Sequence, residues 1–321
     1  MGNFLMTMAE EKSKTRNNFF AVKYEVDEHD CFDFARALRS LGHDIFFVNW
    51  LDLSGAQFTR MFHYNARRFI EPLDLNEFDL IFIYKMEGFY FALKQFFDMV
   101  ESFSQTHSNV INNPATIKHN IDKGYLLDLE HRGIRVIPTY AVKEIVLEQL
   151  NEGKRFVCKP IRGERGRNVF LAESVADLKV IEGQEHEYLA QEFMPEIYDG
   201  ERSLVFLGLE YQHSVLKRPS DNDFRCNESL GGTVAVYDPT GEERDFAVNV
   251  LKAYESLGFP VHYSRVDLIA AKYGPVLVEA ELINPSIYAN YSKKGPEFGR
   301  SIANYFCRLV SAGRTELSSP V

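Results

Sequence analysis

The segment Arg265-Val-Asp-Leu-Ile-Ala-Ala-Lys-Tyr-Gly-Pro-Val-Leu-Val-Glu-Ala-Glu-Leu-Ile-Asn284 contains two apolar runs joined by a short turn. This pattern predicts a β-hairpin, and if the hairpin is centred on Tyr273, Asp267 lies directly across from Glu279. Side chains alternate along a strand, so Glu281 shares a face with Glu279, and Asp267 joins them. Facing carboxylates repel one another, and a cation between them would offset this repulsion. Oxygen ligands favour Mg²⁺ or Mn²⁺, although an ordinary solvated strand face remains the alternative.

The composition excludes several classes of protein. The chain has 321 residues, enough for two or three lobes, and its 45% hydrophobic and 13% aromatic content is typical of a globular protein. A net charge of −10 argues against a protein that coats nucleic acid. No apolar run approaches the roughly 20 residues of a membrane span. The four cysteines are scattered without a C-x-x-C pair, which favours a reducing cytoplasm.

The order of predicted elements divides the chain into regions of different class. Strands at Phe19–Tyr24, Asp44–Val48 and Asp79–Tyr84 alternate with helices, which predicts an α/β lobe with a parallel sheet. A helix at Thr116–Arg132 opens an α+β region in which strands dominate. We expect a flexible tail over 1–18, an N-terminal α/β domain over 19–114, a small lid subdomain over 115–195, a C-terminal subdomain over 196–311 and a second tail over 312–321.

Basic and glycine-rich features precede the hairpin. Lys123 lies in a predicted helix, and Lys159 ends the apolar strand Phe156-Val-Cys-Lys159, where a charge needs a partner. Gly163-Glu-Arg165-Gly166 is a turn between two strands whose backbone N–H groups could fold over phosphates. Each feature is weak alone, because a lone lysine is usually solvated and a G-x-x-G turn is usually only a turn.

Three motifs in order resemble the ATP-grasp superfamily, and within it the prokaryotic glutathione synthetase branch. They are Gln191-Glu-Phe-Met-Pro195 with Gly200-Glu201, Arg225-x-Asn227-x-x-x-Gly231-Gly232, and Asp267…Glu279-x-Glu281. The chain is also similar to O-ureidoserine cyclo-ligase-type enzymes of that branch. The resemblance extends from about Phe19 to Asn284 and implies an ATP-grasp fold with an N-terminal parallel-sheet (pre-ATP-grasp) domain.

The resemblance assigns roles to individual residues. It implies that Lys123 and Lys159 touch the ATP phosphates, that Gly163, Arg165 and Gly166 belong to a loop over the triphosphate, and that Glu201 binds the ribose. It implies that Gln191, Glu192, Phe193 and Met194 meet the adenine edge through their backbone. Arg225 would face the γ-phosphate, with Lys159 and Asn227 as further catalytic residues. Asp267, Glu279 and Glu281 would be metal ligands, although Glu281 stands where glutathione synthetase has Asn.

Several departures from the family leave the substrates unidentified. Ser203 stands where glutathione synthetase has an arginine, and Glu164-Arg165 replaces early glycines of the phosphate loop. The substrate candidates are Tyr84, Lys85 and Glu87 at the end of a strand, Gly231 and Gly232, and Asn284 and Ser286 beyond the hairpin. The aromatic residues of Phe89–Phe97 are interpreted as core.

The implied function is an ATP-dependent carboxylate–amine ligase that acts through an acyl-phosphate on a small carboxylic or amino acid. It would use ATP and two Mg²⁺ ions, with Mn²⁺ as an alternative. Its partners would be small-molecule carboxylate and amine substrates, with no nucleic acid and no membrane, and a homo-oligomer is left open. Two rivals are a phosphotransferase (kinase) built on the same cradle and a non-catalytic ATP-binding module. Three retained carboxylates argue against the second.

Overall fold

The chain forms two compact units in its computed structural model. The structure describes residues 3–9, 30–54, 57–86, 88–106, 109–142, 144–184, 187–295 and 297–317. The first unit comprises Met1–Ile117, Pro260–Ser264 and Leu282–Val321, and the second comprises Lys118–Phe259 and Arg265–Glu281. The predicted strand Phe19–Tyr24 and the candidate Glu87 lie outside the described residues.

The first unit is built on a six-stranded sheet of order β6-β5-β2-β1-β7-β8. The pairs β1–β2, β1–β7 and β7–β8 are parallel, whereas β2–β5 and β5–β6 are antiparallel. Its strands are β1 (Asn3–Ala9), β2 (Asp44–Asn49), β5 (Met61–His63), β6 (Arg68–Ile70), β7 (Leu80–Met86) and β8 (Asn109–Ile111), and a separate two-stranded ribbon pairs β3 (Leu53–Ser54) with β4 (Gln57–Phe58).

Strand β1 overturns the prediction of a flexible tail for residues 3–9. It pairs with β2 from Asn3 to Met8 and with β7 from Phe4 onward, so it lies inside the sheet. The apolar residues Phe4, Leu5 and Met6 suit a strand with neighbours on both sides. Its partners lie about 40 and 75 residues further along the chain, and a pattern read locally does not reveal such pairing.

Among the described residues, three α-helices belong wholly to the first unit: α1 (Asp30–Ser40), α2 (Leu93–Ser104) and α7 (Glu297–Leu317). Helix α7 packs against α1, and a Cβ atom on Gly299 would lie 2.7 Å from the backbone carbonyl carbon of Asp33. Glycine therefore permits the close approach of the two helices. This differs from the predicted division, which placed residues up to 311 in the C-terminal subdomain and 312–317 in a tail, whereas the helix continues to Leu317.

The second unit carries two antiparallel sheets. One has the order β11-β10-β12-β9 and the other β15-β14-β13-β16-β17. Their strands are β9 (Thr139–Ala141), β10 (Phe156–Pro160), β11 (Phe170–Ala172), β12 (Tyr188–Glu192), β13 (Glu201–Leu207), β14 (Glu210–Arg218), β15 (Thr233–Tyr237), β16 (Tyr263–Ala271) and β17 (Gly274–Glu281). Residues up to Ser264 of β16 are assigned to the first unit. The prediction of an α/β region followed by an α+β region is confirmed.

The helix predicted over Thr116–Arg132 is two helices, α3 (Pro114–Asn120) and α4 (Tyr125–His131). Asp122 Oδ1 accepts a hydrogen bond of 2.9 Å from the Gly124 N–H, a local turn that interrupts the helical ladder. Helices α5 (Glu144–Asn151) and α6 (Gly241–Ser256) complete the second unit. The break places Lys123 in the turn, where its backbone N–H donates to Ile161 O at 3.0 Å.

Candidate active site

The β16–β17 hairpin brings the predicted carboxylates together. Asp267 is paired with Glu279 and Arg265 with Glu281 in the antiparallel ladder, so the predicted register is confirmed. The turn pairs Ala271 with Gly274, and the register shifts between Asp267 and Leu268. This bulge, and not a turn centred on Tyr273, brings Asp267 opposite Glu279.

Asp267 is the most enclosed of the three hairpin carboxylates, at 2% exposure. Its Oδ1 accepts hydrogen bonds from Ser203 Oγ at 2.6 Å and Arg265 Nε at 2.8 Å. Its Oδ2 accepts a hydrogen bond of 2.9 Å from Arg265 Nη2 and lies 3.4 Å from Lys217 Nζ. Burial by itself raises the pKa of Asp267, but the charges of Arg265 and Lys217 outweigh burial and hold the pKa well below its usual range.

Glu281 shares Arg265 with Asp267. The guanidinium of Arg265 lies 2.5 Å from Glu281 Oε2, so one arginine bridges two carboxylates of facing strands. Burial raises the pKa of Glu281, the charge of Arg265 lowers it, and the neighbouring charges of Glu279 and Asp267 raise it again. The net direction is upward, because burial and the two neighbouring carboxylates together outweigh the charge of Arg265.

Glu201 and Lys217 form a buried ion pair on β13 and β14, where the ladder pairs them directly. Glu201 is 9% exposed and Lys217 is 6% exposed. Burial raises the pKa of Glu201 to about 7, opposed by the charge of Lys217 and reinforced by Asp267. Lys217 therefore links the predicted ribose-binding acid to the hairpin carboxylates.

Two lysines complete the charge cluster. Lys123 Nζ lies 3.3 Å from Glu279 Oε1 and donates a hydrogen bond of 2.8 Å to Gly163 O. Lys159 is 7% exposed, and burial lowers its pKa to about 8, with Glu279 raising it and Lys123 lowering it. Burial raises the pKa of Glu279, but Lys123 and Lys159 outweigh burial and lower it overall.

The cluster contains four cationic side chains and four carboxylates: Lys123, Lys159, Lys217 and Arg265, with Glu201, Asp267, Glu279 and Glu281. The facing carboxylates are thus balanced by side chains, whereas the sequence analysis invoked a metal cation for this task. Such mutual neutralisation within buried strands keeps the charges tolerable.

We tested whether the three hairpin carboxylates fit a divalent cation. Within the described parts of the chain, no group of three or more His, Cys, Asp or Glu side chains is arranged to hold a metal ion. The donors are nevertheless all carboxylate oxygens, which suit Mg²⁺. The Glu279 and Glu281 side chains are 35% and 26% exposed, whereas both oxygens of Asp267 are already occupied. The residues therefore fit Mg²⁺ best at Glu279 and Glu281, and their role as ligands stays a prediction.

The predicted phosphate loop lies against the segment that carries Arg225. Gly166 has a φ of +67°, and a Cβ atom there would lie 2.8 Å from Asn227 Oδ1, so both conformation and space require glycine. Arg165 and Asn168 also have positive φ, at +57° and +54°. Arg225 donates towards Gly166 O at 3.3 Å and Val169 O at 3.5 Å. The glycine turn and the Arg-x-Asn motif thus form one structure.

Arg225 is also paired with Asp223, which lies two residues before it on the same segment. Its Nε lies 3.0 Å from Asp223 Oδ1, and a terminal nitrogen lies 2.8 Å from Oδ2. The hydrogen bond to Asp223 raises the pKa of Arg225, and the hydrogen bond from Arg225 lowers that of Asp223. The pair is bidentate, which fixes the plane of the guanidinium.

The segment Gln191–Met194 leaves the end of β12. The Gln191 side chain is 3% exposed and donates to Thr139 Oγ1 at 3.0 Å. The Glu192 carboxylate accepts from Tyr140 at 3.2 Å and Lys154 at 3.1 Å. These side chains have structural partners, which leaves the predicted adenine contact to the backbone.

Residues 127–296 match the description "RimK-like ATP-grasp domain", which is more than half of the chain. The chain belongs to the RimK-like ATP-grasp family.

Similar proteins of this family are ligases. A probable alpha-L-glutamate ligase of Chromohalobacter salexigens is 24% identical over 231 residues, which is 69% of this chain and 74% of that protein. A glutathione synthetase of Agrobacterium fabrum is 23% identical over 222 residues, 67% of each chain. The prediction of an ATP-grasp carboxylate–amine ligase is confirmed as an enzyme class.

Solved structures confirm the ATP-grasp fold. The D-cycloserine synthetase DcsG has a TM-score of 0.72 at 19% identity, over 96% of this chain and 100% of that chain. A D-alanine–D-alanine ligase of Bacillus anthracis has a TM-score of 0.62 at 13% identity, over 99% and 100% of the two chains. ATP-grasp ligases in general use ATP and divalent metals.

Several predicted substrate residues of this ATP-grasp ligase belong to the first unit, and their contact with substrate stays a prediction. Tyr84, 2% exposed, packs edge-on against Phe34 at 5.5 Å, which places its ring in the core of the first unit. Lys85 lies in β7 next to it. Asn284 and the exposed Ser286 follow β17 in the part of the chain assigned to the first unit. Of the aromatic residues of Phe89–Phe97 that were interpreted as core, Phe89 is buried, but Phe91 is 70% exposed.

Gly231 and Gly232, also predicted to contact substrate, have a structural reason to be glycine. Gly231 has a φ of +89°, and a Cβ atom on Gly232 would lie 2.7 Å from Cys226 O. Their N–H groups donate to Glu228 O at 3.0 Å and Asn227 O at 3.1 Å. This turn closes the Arg-x-Asn segment, and a substrate contact there stays a prediction.

Sequence reasoning missed Lys217 and Arg265. A signal existed for Arg265, because it precedes Asp267 by two residues on a strand and so shares its face. Lys217 shares the charged face of Glu201 only through the β13–β14 register, which depends on where the connecting turn falls.

Among the described residues, no helix combines the length and apolar character of a membrane span.

Proposed function

We propose that this chain is an ATP-dependent ligase that joins a small carboxylic or amino acid to an amine through an acyl-phosphate. The carrying observation is the buried charge cluster, in which Lys123, Lys159, Lys217 and Arg265 face Glu201, Asp267, Glu279 and Glu281 within one unit. Buried charges cost stability unless they are paired, and clusters with shifted pKa values are typical of functional sites. The names of the relatives, glutamate ligase and glutathione synthetase, favour amino-acid substrates.

The nucleotide would lie between the two sheets of the second unit. Lys123 and Lys159 bind its phosphates, and the glycine turn at Gly163–Gly166 covers them with its backbone. Glu201 accepts hydrogen bonds from the ribose hydroxyls and draws its orientation from Lys217. The backbone of 191–194 meets the adenine edge.

The metal would be held mainly by Glu279 and Glu281, with Asp267 as the third member of the set. We propose two Mg²⁺ ions, with Mn²⁺ as an alternative. When bound, they neutralise the phosphate charge and polarise the γ-phosphoryl group. Glu279, which now pairs with Lys123, would then have a second counter-charge, so this lysine can bind phosphate.

The reaction has two steps in which all atoms are accounted for. An oxygen of the substrate carboxylate attacks the γ-phosphorus, the bond to the β-γ bridging oxygen breaks, and ADP leaves. The amine then attacks the acyl carbon and loses one proton, which the departing phosphate takes up as it leaves with one oxygen of the original carboxylate. Lys159 and Arg225 stabilise the charge that shifts onto the transferring group, and Asn227 supports Arg225 and the glycine turn. No protein nucleophile is needed.

The phosphotransferase rival makes a different product. A kinase releases ADP when a hydroxyl is phosphorylated and needs no amine. We therefore propose a screen of paired amino acids and small carboxylic acids, with ADP and phosphate release measured and products weighed by mass spectrometry. A ligase needs both partners and forms one phosphate per ADP, and the product weighs the sum of both partners less one water. ADP release with a phosphorylated product and no amine requirement would favour the kinase.

A background control is available in the same protein. Glu279→Ala should show no turnover with any pair, because Glu279 is a proposed metal ligand. Turnover in this variant close to the wild-type rate would count against Glu279 as a metal ligand.

A further inference from the structure

Arg225 makes two kinds of contact with opposite edges of its guanidinium. The edge formed by Nε and one terminal nitrogen faces both oxygens of Asp223, at 3.0 and 2.8 Å. The other terminal nitrogen donates towards Gly166 O and Val169 O, at 3.3 and 3.5 Å. One side chain therefore connects an acid on its own segment to the backbone of the glycine turn.

The Asp223 carboxylate is held by backbone hydrogen bonds as well as by the Arg225 side chain. Its Oδ1 accepts backbone hydrogen bonds from Phe224 at 2.8 Å and from Arg225 at 2.9 Å. Its side chain is 16% exposed. A carboxylate that is already held by the backbone loses little side-chain entropy when it orients an arginine.

The glycine turn is held at both ends. Lys123 Nζ donates to Gly163 O at 2.8 Å at the start of the turn, and Arg225 donates to Gly166 and Val169 at the end. Gly166 also lies so close to Asn227 that a Cβ atom would be 2.8 Å from its Oδ1. The turn thus depends on side-chain donors for its position.

We propose that Asp223 is a positioning residue. It holds the guanidinium of Arg225 in the plane in which Arg225 donates hydrogen bonds to the glycine turn, and we call these contacts the latch. The same plane would make Arg225 face the γ-phosphoryl group, and this second role rests on the proposed function. The pair contributes through the orientation of the guanidinium more than through its charge, because the carboxylate offsets much of the positive charge of the arginine. Loss of the carboxylate charge should therefore impair turnover without weakening ATP binding.

The decisive comparison is between Asp223→Asn and Asp221→Asn. Both variants remove one carboxylate charge from the same segment, but Asp221 is exposed and is not part of the latch. Without nucleotide, trypsin should cut after Arg165 or Arg167 about fivefold faster in Asp223→Asn, in keeping with loss of a charged hydrogen bond. The Asp221→Asn variant should be cut at the wild-type rate.

Kinetics provide the second readout. In Asp223→Asn, kcat should fall about tenfold while KM for ATP stays within about twofold or decreases. A merely structural defect would raise KM as well. The double variant Asp223→Asn with Arg225→Lys should be no slower than Arg225→Lys alone, because both changes remove the same positioning.

The outcomes separate the latch from the proposed function. If Asp223→Asn matches Asp221→Asn in both proteolysis and kcat, or if the double variant shows multiplied losses, the positioning role is wrong. If wild-type protein shows no turnover with any substrate pair, the proposed function fails while the trypsin comparison still decides the latch. If Asp223→Asn does not fold, Asp223→Glu should retain slow cleavage, and fast cleavage in that folded variant would overturn the proposal.

Discussion

Lys123 Nζ lies 3.3 Å from Glu279 Oε1, so a predicted phosphate-binding lysine is paired with a predicted metal-binding carboxylate. The same lysine donates to Gly163 O in the glycine turn. The side chains of Lys123 and Glu279 are 12% and 35% exposed, so neither is fully enclosed by protein. The pair joins the two halves of the proposed ATP–metal site and would be rearranged when both ligands bind.

Glu279→Ala should abolish turnover, with a loss of about a thousandfold or more, because metal coordination contributes several kcal/mol to such reactions. The fold should persist. The sequence alone suggested relief of repulsion, but Glu279 balances Lys123 and Lys159, so we expect an equal or slightly lower melting temperature. Initial rates with MgATP and a thermal melt measure both effects. Glu255→Ala, on the exposed side of α6, is the control, and turnover near the control rate would exclude Glu279 as a metal ligand.

Glu201→Ala should raise KM for ATP and leave kcat at saturating ATP nearly unchanged, because a ribose contact is equal in ground and transition states. Lys217 forms ion pairs with Glu201 and Asp267, so the variant should keep the pair with Asp267. Steady-state kinetics over a wide range of ATP concentration separate the two constants. Unchanged ATP affinity with collapsed turnover would contradict the ribose role.

ATP binding should weaken as the pH rises through about 8, because the pKa of Lys159 is lowered by burial to about 8 and loss of its proton removes a positive charge from the phosphate site. In the Lys159→Arg variant this high-pH decline should disappear, since arginine stays charged. Calorimetric titration of ATP at several pH values tests this. A decline that is identical in both proteins would assign it to another group.

The same pKa has a consequence for stability. Because the folded pKa lies below the usual 10.5, charging Lys159 destabilises the fold, and this cost is fully present below about pH 8 and is relieved as the pH rises towards 10.5. Lys159→Met should therefore raise the melting temperature at pH 7 while it abolishes ATP binding. A lower melting temperature in Lys159→Met would show that the lysine is stabilised by its partners.

Arg225→Lys should lower kcat about tenfold or more, on the order of 1.4 kcal/mol, with little change in ATP affinity. Lysine keeps the charge but loses the planar fork that pairs with Asp223 on one edge and the glycine turn on the other. Rapid-quench measurement of ADP formation at saturating ATP gives the chemical step. A wild-type rate, or an effect on ATP affinity alone, would remove Arg225 from the reaction centre.

The hairpin could be predicted because it is local. Alternation within Arg265–Asn284 predicted which residues share a face, and an assumed centre at Tyr273 placed Asp267 across from Glu279, a pairing that the ladder has. The bulge that produces it was not visible, since a bulge adds one residue without changing the apolar character of the strand. Arg265 could have been found from the same alternation.

The features that depend on distant segments could not be predicted. Strand β1 gains its place from pairing with β2 and β7, and α7 from its close contact with α1 at Gly299.

The choice of Asp223 over Asp221 as the partner of Arg225 depends on a turn in which the carboxylate binds the next two backbone N–H groups. Such choices are made by local geometry that residue types alone do not fix.

The most direct test of the central claim follows oxygen from the substrate to phosphate. The protein is incubated with MgATP and a pool of amino acids and small carboxylic acids labelled with ¹⁸O in the carboxyl group, and the phosphate released is analysed by mass spectrometry. An acyl-phosphate pathway predicts one ¹⁸O atom in each phosphate formed, and no such phosphate in the Glu279→Ala control. Turnover that yields unlabelled phosphate, or a phosphorylated product without free phosphate, would contradict the proposed ligase mechanism.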